Sequence, residues 1–333
     1  MPNAKSGRRF ISQLVPGERI EDQVFLITSK DLRATSNGSL YIHAVLADKT
    51  GQILGRLWQA SDAQYQQIPE GGFLRFKGRV ESYKGSLQFI IEGMRPVEDA
   101  GVDLSDFLPA TTRDVEQMWE RTKEILRSIK NRDILNLLKQ FVEDEPLVRA
   151  FKRAPAATQL HHAFLGGLLE HTLNVLELAV LVLPRYPEVS TDLVLAGIFL
   201  HDIGKTTELT YETNFCYSDA GQLIGHIVQA AIWIEQKARA VEQQTGKPFP
   251  EDIKVALQHI VVSHHGEYEF GSPKLPATPE AIAVHYLDNL DAKLHVYLRE
   301  IEKDDNPDDN FTDYVRSLET KVYKKDVLGI RRK

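Results

Sequence analysis

Between residues 20 and 93 apolar and polar positions alternate in short runs: Gln23–Ile27, Leu40–Ala47, Ile53–Trp58, Phe73–Ser82 and Leu87–Glu92. Alternation with period two predicts strands with one buried face. Turn residues separate the runs at Asn37-Gly38, Asp48-Lys49-Thr50-Gly51, Glu70-Gly71-Gly72 and Lys84-Gly85. Ser61–Gln67 has the composition of a short helix between the third and fourth strands. Five strands with a helix in that place follow the order of an OB-fold barrel. Pro96, Gly101 and Pro109 then mark a linker.

From residue 114 the period changes. Met118, Thr122, Ile125, Leu126 and Ile129 share one helical face, and Ile134, Leu137, Leu138 and Phe141 repeat the pattern. Further helices are expected at 145–153, 162–183, 191–203, 220–245, 251–265 and 279–302. Thr278-Pro279 is an N-cap and first-turn pair. Gly266 is placed to stop the helix that ends in His264 and His265. The expected architecture is multidomain: a five-stranded OB-fold barrel over 1–100, a linker over 101–113, an all-α domain over 114–305 and a tail over 306–333.

With 333 residues the chain can bury two cores. Its 42% hydrophobic and 26% charged residues are those of a soluble globular protein. The apolar run Leu178–Leu183 stops at Pro184, far short of the roughly 18 residues of a membrane span. Met1–Arg9 lacks the apolar stretch of a signal peptide. The lone Cys216 fits a reducing compartment, so a cytoplasmic setting without a membrane partner is expected. The net charge of −7 is unevenly placed: residues 1–100 carry 13 Lys and Arg against 11 Asp and Glu, the rest 27 against 36. A mildly basic N-terminal half is compatible with phosphate contacts.

The candidate chemistry lies in the helical half. His201 and Asp202 are adjacent at the end of an apolar helix, and His171, His226, His264, His265 and Asp288 sit on or at the ends of other helices. Taken singly, each histidine reads as core packing. Asp202 does not, because a carboxylate at an apolar helix end needs a cation or several donors. Together the five imidazoles and two carboxylates point to a metal site. Mixed nitrogen and oxygen donors suit manganese, iron, cobalt, nickel or zinc better than magnesium, and seven ligands leave room for one or two ions. Such a centre generates hydroxide at neutral pH and clamps phosphoryl oxygens. Lys205, one helical turn beyond His201, is placed to neutralise a phosphate oxygen, or else is a solvated lysine.

These residues, in this order, resemble the HD-domain superfamily of metal-dependent phosphohydrolases. Gly166-Gly167-Leu168-Leu169-Glu170-His171-Thr172, His201-Asp202-Ile203-Gly204-Lys205, the stretch Ser263–Pro273 and Asp288-Asn289-Leu290-Asp291-Ala292-Lys293 carry the resemblance further. With an OB-fold in front, the chain from roughly 15 to 325 looks like the YhaM-type 3′-to-5′ exoribonucleases. The resemblance implies manganese-stimulated removal of nucleotides from the 3′ end of single-stranded RNA or DNA, releasing nucleoside monophosphates. The double histidine is also similar to the HD-GYP cyclic-dinucleotide phosphodiesterases, but Gly266-Glu267-Tyr268-Glu269 stands where Gly-Tyr-Pro would. Asp288 and Asp291 both remain candidates for the last ligand, and motif alignment favours Asp288. His161 and His162 touch substrate phosphate or pack.

OB barrels bind single strands by stacking bases on aromatic side chains and tracking phosphates with Lys and Arg. Tyr41, Trp58, Phe76, Tyr83 and Phe89 are the aromatic candidates, some of which must be barrel core. Arg56 with Trp58, Lys77 with Arg79, and Lys84 are the better surface candidates, with His162 at the metal end. Lys324-Lys325 and Arg331-Arg332-Lys333 add basic charge near the C-terminus. The expected activity is exonucleolytic: hydroxide attack on the terminal phosphodiester of a single strand, with Asp202 and Lys205 in the catalytic roles. Two alternatives are a phosphodiesterase or nucleotidase for small or cyclic nucleotides, and a non-catalytic RNA-binding protein with a structural metal centre. A homo-oligomer would add avidity.

Overall fold

The computed structural model describes residues 8–69, 71–97, 102–158 and 162–330. The chain divides into two compact units, one formed by the residues up to Ala110 with Tyr211–Asn214, the other by Thr111–Thr210 and the residues from Phe215 onward.

The first unit is a barrel of β1 (Arg19–Ala34), β2 (Leu40–Asp48), β3 (Gly51–Trp58), β4 (Gly72–Tyr83) and β5 (Ser86–Pro96), with helix α1 (Asp62–Gln67) between β3 and β4. The strands close in the order β1-β2-β3-β5-β4, with β3 and β5 parallel and the other neighbours antiparallel. This is an OB-fold. Alternate residues fill its interior: Phe25 and Ile27, Ile42, Ala44 and Leu46, Leu74 and Phe76, Phe89 and Ile91. A reciprocal cap starts α1, the Ser61 hydroxyl accepting from the Gln64 backbone N–H while the Gln64 side chain accepts from that of Ser61.

Strand β1 is much longer than the expected Gln23–Ile27. Its first half pairs with β4 and its second half with β2, and residues 29–34 are largely exposed, so hydrophobic alternation does not reveal them. Part of the segment read as a linker is packed. Leu104, Phe107 and Leu108 are buried, and the Phe107 ring meets Phe73 edge-on at 4.8 Å.

The second unit is helical: α2 (Val115–Arg127), α3 (Arg132–Val142), α4 (Glu145–Phe151), α5 (Gly167–Val182), α6 (Thr191–His201), α7 (Lys205–Glu208), α8 (Asp219–Leu223), α9 (Gly225–Thr245), α10 (Glu251–Ser263) and α11 (Pro279–Lys303). Two short strands, β6 (Leu209–Thr210) and β7 (Cys216–Tyr217), pair between α7 and α8. Side-chain caps from Asp114, Asn131, Asp144, Ser190, Ser218 and Thr278 define most helix starts. Every residue of α6 from Val194 to His201 is buried, and the helix packs against α5, α9, α10 and α11. An all-round apolar helix is a central one.

Three boundaries depart from expectation. Helix α5 starts at Gly167 rather than at 162, because His162 has φ +47° and the chain does not become helical until Gly167. The helix expected over 220–245 is two helices, broken at Gly225 with φ +77°, a left-handed conformation natural to glycine. The supposed tail contains a hairpin, β8 (Phe311–Val315) and β9 (Thr320–Tyr323), which packs against α11 through buried Val322. Lys324 pairs with Asp304 rather than standing as a solvated terminal charge, while Arg331, Arg332 and Lys333 lie outside the described residues.

Helix α5 with its following turn (Gly167–Arg185) is long and apolar enough to cross a membrane, although uninterrupted apolar runs do not reveal it. Here it packs against α2, α6 and α11 and carries His171 at full burial.

Candidate metal centre

Five helices converge on one point. His171 comes from α5, His201 and Asp202 from the end of α6, His226 from the first turn of α9, His264 and His265 from the end of α10, and Asp288 from α11. All seven expected ligands are brought together. The Nε2 atoms of His171 and His201 lie 3.1 and 3.9 Å from Asp288 Oδ1. Asp202 is central: its Oδ2 is 3.4 Å from His201 Nε2 and 4.0 Å from His171 Nε2, while its Oδ1 is 3.3 Å from His226 Nε2 and 3.6 Å from His264 Nε2. One carboxylate thus faces two sets of imidazoles.

Gly204 allows one of these approaches. A Cβ there would lie 2.2 Å from the carbonyl oxygen of His226, so only glycine lets the chain after Asp202 pass this close to α9.

The far side of each ring is fixed. His201 Nδ1 meets the Ile198 carbonyl at 2.6 Å, His264 Nδ1 that of Val261 at 2.7 Å, and His265 Nδ1 that of Phe270 at 2.7 Å. A carbonyl can only accept, so these Nδ1 atoms carry a proton and each ring turns its Nε2 inward. His226 Nδ1 meets Glu208 Oε1 at 2.8 Å, and His171 Nδ1 meets Asp291 Oδ2 at 2.7 Å. Such outer partners orient metal-binding imidazoles. The Nε2 atoms of His201 and His226 and Oδ1 of Asp202 are buried and make no hydrogen bond among the described residues, although they lie within ion-pair distance of one another's groups. Converging lone pairs without protons between them are what a cation satisfies, and the donor set fits a divalent metal.

The electrostatics differ between the two sets of imidazoles. Burial pushes the imidazoles of His226, His264 and His265 down, His265 to about 4, which keeps them neutral and able to ligate. Burial would also lower His171, but hydrogen bonds and charge from Asp288 and Asp291 overcome it and raise the group to about 10, so this ring has to release a proton to hold a cation. In Asp202 burial favours the neutral acid, yet Lys205, His201 and His264 hold the carboxyl well below its usual range. Asp288 is lowered in the same way by His171, His201 and His264. Lys205 Nζ donates to Asp202 Oδ2 at 2.7 Å. Burial opposes its charge, but Asp202 raises its pKa above the usual lysine value, so it remains a cation. It lines a cavity of about 400 Å³ that opens from the metal centre.

The structure separates the two candidate aspartates. Asp288 faces the ring edges that point inward. Asp291 engages the opposite edge of His171, meets His162 Nε2 at 2.9 Å and accepts from Asn174 Nδ2 at 3.1 Å. It positions the His171 ring.

His162 requires a correction. Only 1% of it is exposed, and it stacks on His295 with ring centres 4.0 Å apart. A ring so enclosed supports Asp291 and offers no surface to a nucleic acid. His161 lies outside the described residues. The sequence reading missed Glu208, whose only signal is its position on the short helix after Lys205, and Asn174, one turn after His171 on the same face.

The barrel carries a second candidate surface. The Arg56 guanidinium lies 5.6 Å from the Trp58 ring, 5.4 Å from Tyr83 and 6.0 Å from Tyr41, and Lys84 lies 5.5 Å from Tyr83. Trp58 and Tyr83 are 43% and 50% exposed, which frees ring faces for stacking. Among the described residues Arg56 makes no ion pair. Lys77 and Arg79 differ: Lys77 is 2.6 Å from Glu21, and Arg79 is 2.8 Å from both Glu81 and Glu92. Their charge is largely neutralised. Phe76 and Phe89 are barrel core.

The family model "HD domain" matches residues 168–293. A curated "3′-5′ exoribonuclease YhaM" from Geobacillus sp. (strain WCH70) is 35% identical over 315 residues, covering 94% of each chain. One from Bacillus subtilis (strain 168) is 33% identical over 310 residues, 93% of this chain and 95% of that protein. The chain belongs to the YhaM family. The HD match contains all seven converging residues. Among solved structures, the second OB-fold domain of replication protein A from Methanococcus maripaludis aligns with 29% of this chain and 99% of its own, at 19% identity and a TM-score of 0.23.

Proposed function

We infer that this member of the YhaM family is a metal-dependent 3′-to-5′ exonuclease that shortens single-stranded RNA, and single-stranded DNA as a second substrate, releasing nucleoside monophosphates. The observation that carries the reading is the Asp202 carboxylate set between two groups of inward-facing imidazole nitrogens. His171, His201 and Asp288 would hold one divalent ion, and His226, His264 and His265 a second, with Asp202 shared. The mixed donors admit manganese, with cobalt, iron, nickel or zinc as alternatives. When bound, such ions supply an activated water at neutral pH and charge for the phosphoryl oxygens.

The protein's own groups do the rest. Asp202 fixes the spacing of the two imidazole sets. Lys205 stays protonated beside it and faces the cavity, where its ammonium neutralises a non-bridging oxygen as charge builds on the phosphate. The preceding nucleotide's 3′-oxygen leaves. A single-stranded oligomer labelled at its 5′ end, incubated across a panel of divalent metals, should shorten stepwise from the 3′ end. Turnover of mononucleotides or cyclic dinucleotides alone would sink the reading.

The barrel surface around Arg56 supports the same substrate. Stacking of one base on an aromatic ring is worth about 1–3 kcal/mol. Trp58→Ala should therefore weaken binding of a single-stranded oligomer by about 10-fold in a fluorescence-anisotropy titration. The rate at saturating substrate should change little. Lys77→Ala should have the smaller effect, because Glu21 already engages that ammonium.

A further inference from the structure

We propose that the wall of the metal-centre cavity built from Phe270, Ala292, Lys293, Val296, Ser317 and Leu318 is the binding site for the 3′-terminal nucleoside of the substrate, with Phe270 stacking on its base. This deepens the exonuclease reading and rests on it.

The residues that line the cavity are of two chemical kinds. Asp202, Lys205, His264, His265 and Asp288 are one, and those of the proposed wall are the other. Its volume of about 400 Å³ lies in the range of pockets that take one small molecule, about 300–1,000 Å³. A strand whose scissile phosphate lies at Lys205 and the metal ligands must put the nucleoside beyond that phosphate somewhere within reach. The apolar wall is the surface that borders the same space. Enzymes that act on nucleotides commonly read the base by stacking it against aromatic or apolar side chains.

Each part of the wall is held in place. Phe270 is 63% exposed, which leaves ring surface that a base could cover. Its backbone carbonyl is fixed by His265 Nδ1, so the ring stands beside a metal ligand. Ala292, Lys293 and Val296 follow Asp288 along α11. Lys293 is exposed and makes no ion pair among the described residues, which leaves its ammonium available to the terminal nucleotide's phosphate or sugar. Ser317 and Leu318 come from the turn between β8 and β9, the segment that hydrophobic patterning reads as a tail. That hairpin is anchored. The Thr312 hydroxyl accepts from the Val322 backbone N–H at 3.0 Å, and Lys324 donates to Asp304 and to the Asn306 carbonyl. Glu319, with φ +52°, turns the chain immediately after Leu318.

The test uses two single-stranded oligomers of equal length, one ending in a normal 3′ nucleotide and one whose terminal nucleotide lacks its base. The wild-type enzyme with manganese should remove the normal terminus with a kcat/KM about 10-fold or more above that of the abasic one, the size of one stacked base. In Phe270→Ala that ratio should fall toward one, and in Leu318→Ala it should fall part of the way. The backbone contact to His265 survives both substitutions. A Phe270→Ala enzyme that slows equally on both strands and keeps the wild-type ratio overturns the proposal and leaves the exonuclease reading intact. A wild-type enzyme that removes neither terminus with any divalent metal overturns both.

Discussion

Asp202→Asn should lower the rate of 3′-end removal by about 10³-fold or more, because the bound metal supplies several kcal/mol of charge stabilisation and each 1.36 kcal/mol is tenfold in rate. The amide keeps the shape of the side chain and removes the charge that both imidazole sets face. It also strips buried Lys205 of its counter-charge. Breaking one partner of a buried pair costs about 3–5 kcal/mol, so lost activity alone would not distinguish chemistry from folding. The double variant Asp202→Asn with Lys205→Met removes the stranded ammonium and should recover much of the stability without recovering the rate. Thermal unfolding gives the second readout. Manganese at 100 times its Kd should stabilise the wild type by about 2.7 kcal/mol if it binds only the folded state, and should stabilise the double variant far less. A folded double variant that still trims RNA at the wild-type rate would remove Asp202 from the centre of the mechanism.

How much of this could be read along the chain depended on whether the information was local. The five strands and α1 were legible because alternation and turn residues are properties of neighbouring positions. The seven converging residues were legible as polar groups that apolar helices had no other reason to carry. What escaped depends on pairings between distant segments. Glu208 belongs to the site only because it reaches His226 on another helix. Asp291 is a candidate beside Asp288, which only motif alignment favours along the chain, and the side of the His171 ring that each one touches separates them. His162 resembled a phosphate-binding residue until its burial against His295 and Asp291 was seen. The β8–β9 hairpin was hidden because its strands are short, mostly exposed and acidic at their approach, so no period appears.

The distinction between ligand and positioning residue leads to the second large effect. Asp291→Asn should weaken metal binding by 10- to 100-fold, the usual consequence of losing the outer partner of a ligating histidine. Asp291 holds His171 Nδ1 at 2.7 Å, and burial favours its neutral form while hydrogen bonds to His162 and His171 keep it ionised. Its charge raises the basicity of the His171 ring and fixes the tautomer that points Nε2 inward. An asparagine can still occupy the space between His162, His171 and Asn174, but it lacks that charge and must choose one orientation of its amide. Activity should therefore fall at limiting manganese and return to within a few-fold of wild type when the metal is raised. Asp288→Asn should behave differently, because a carboxylate 3.1 Å from His171 Nε2 would touch the ion itself, and excess metal should not restore its rate. The two roles are separated by titrating manganese against initial rate in both variants. Identical, metal-insensitive losses would place Asp291 among the ligands and undo the assignment made from the ring edges of His171.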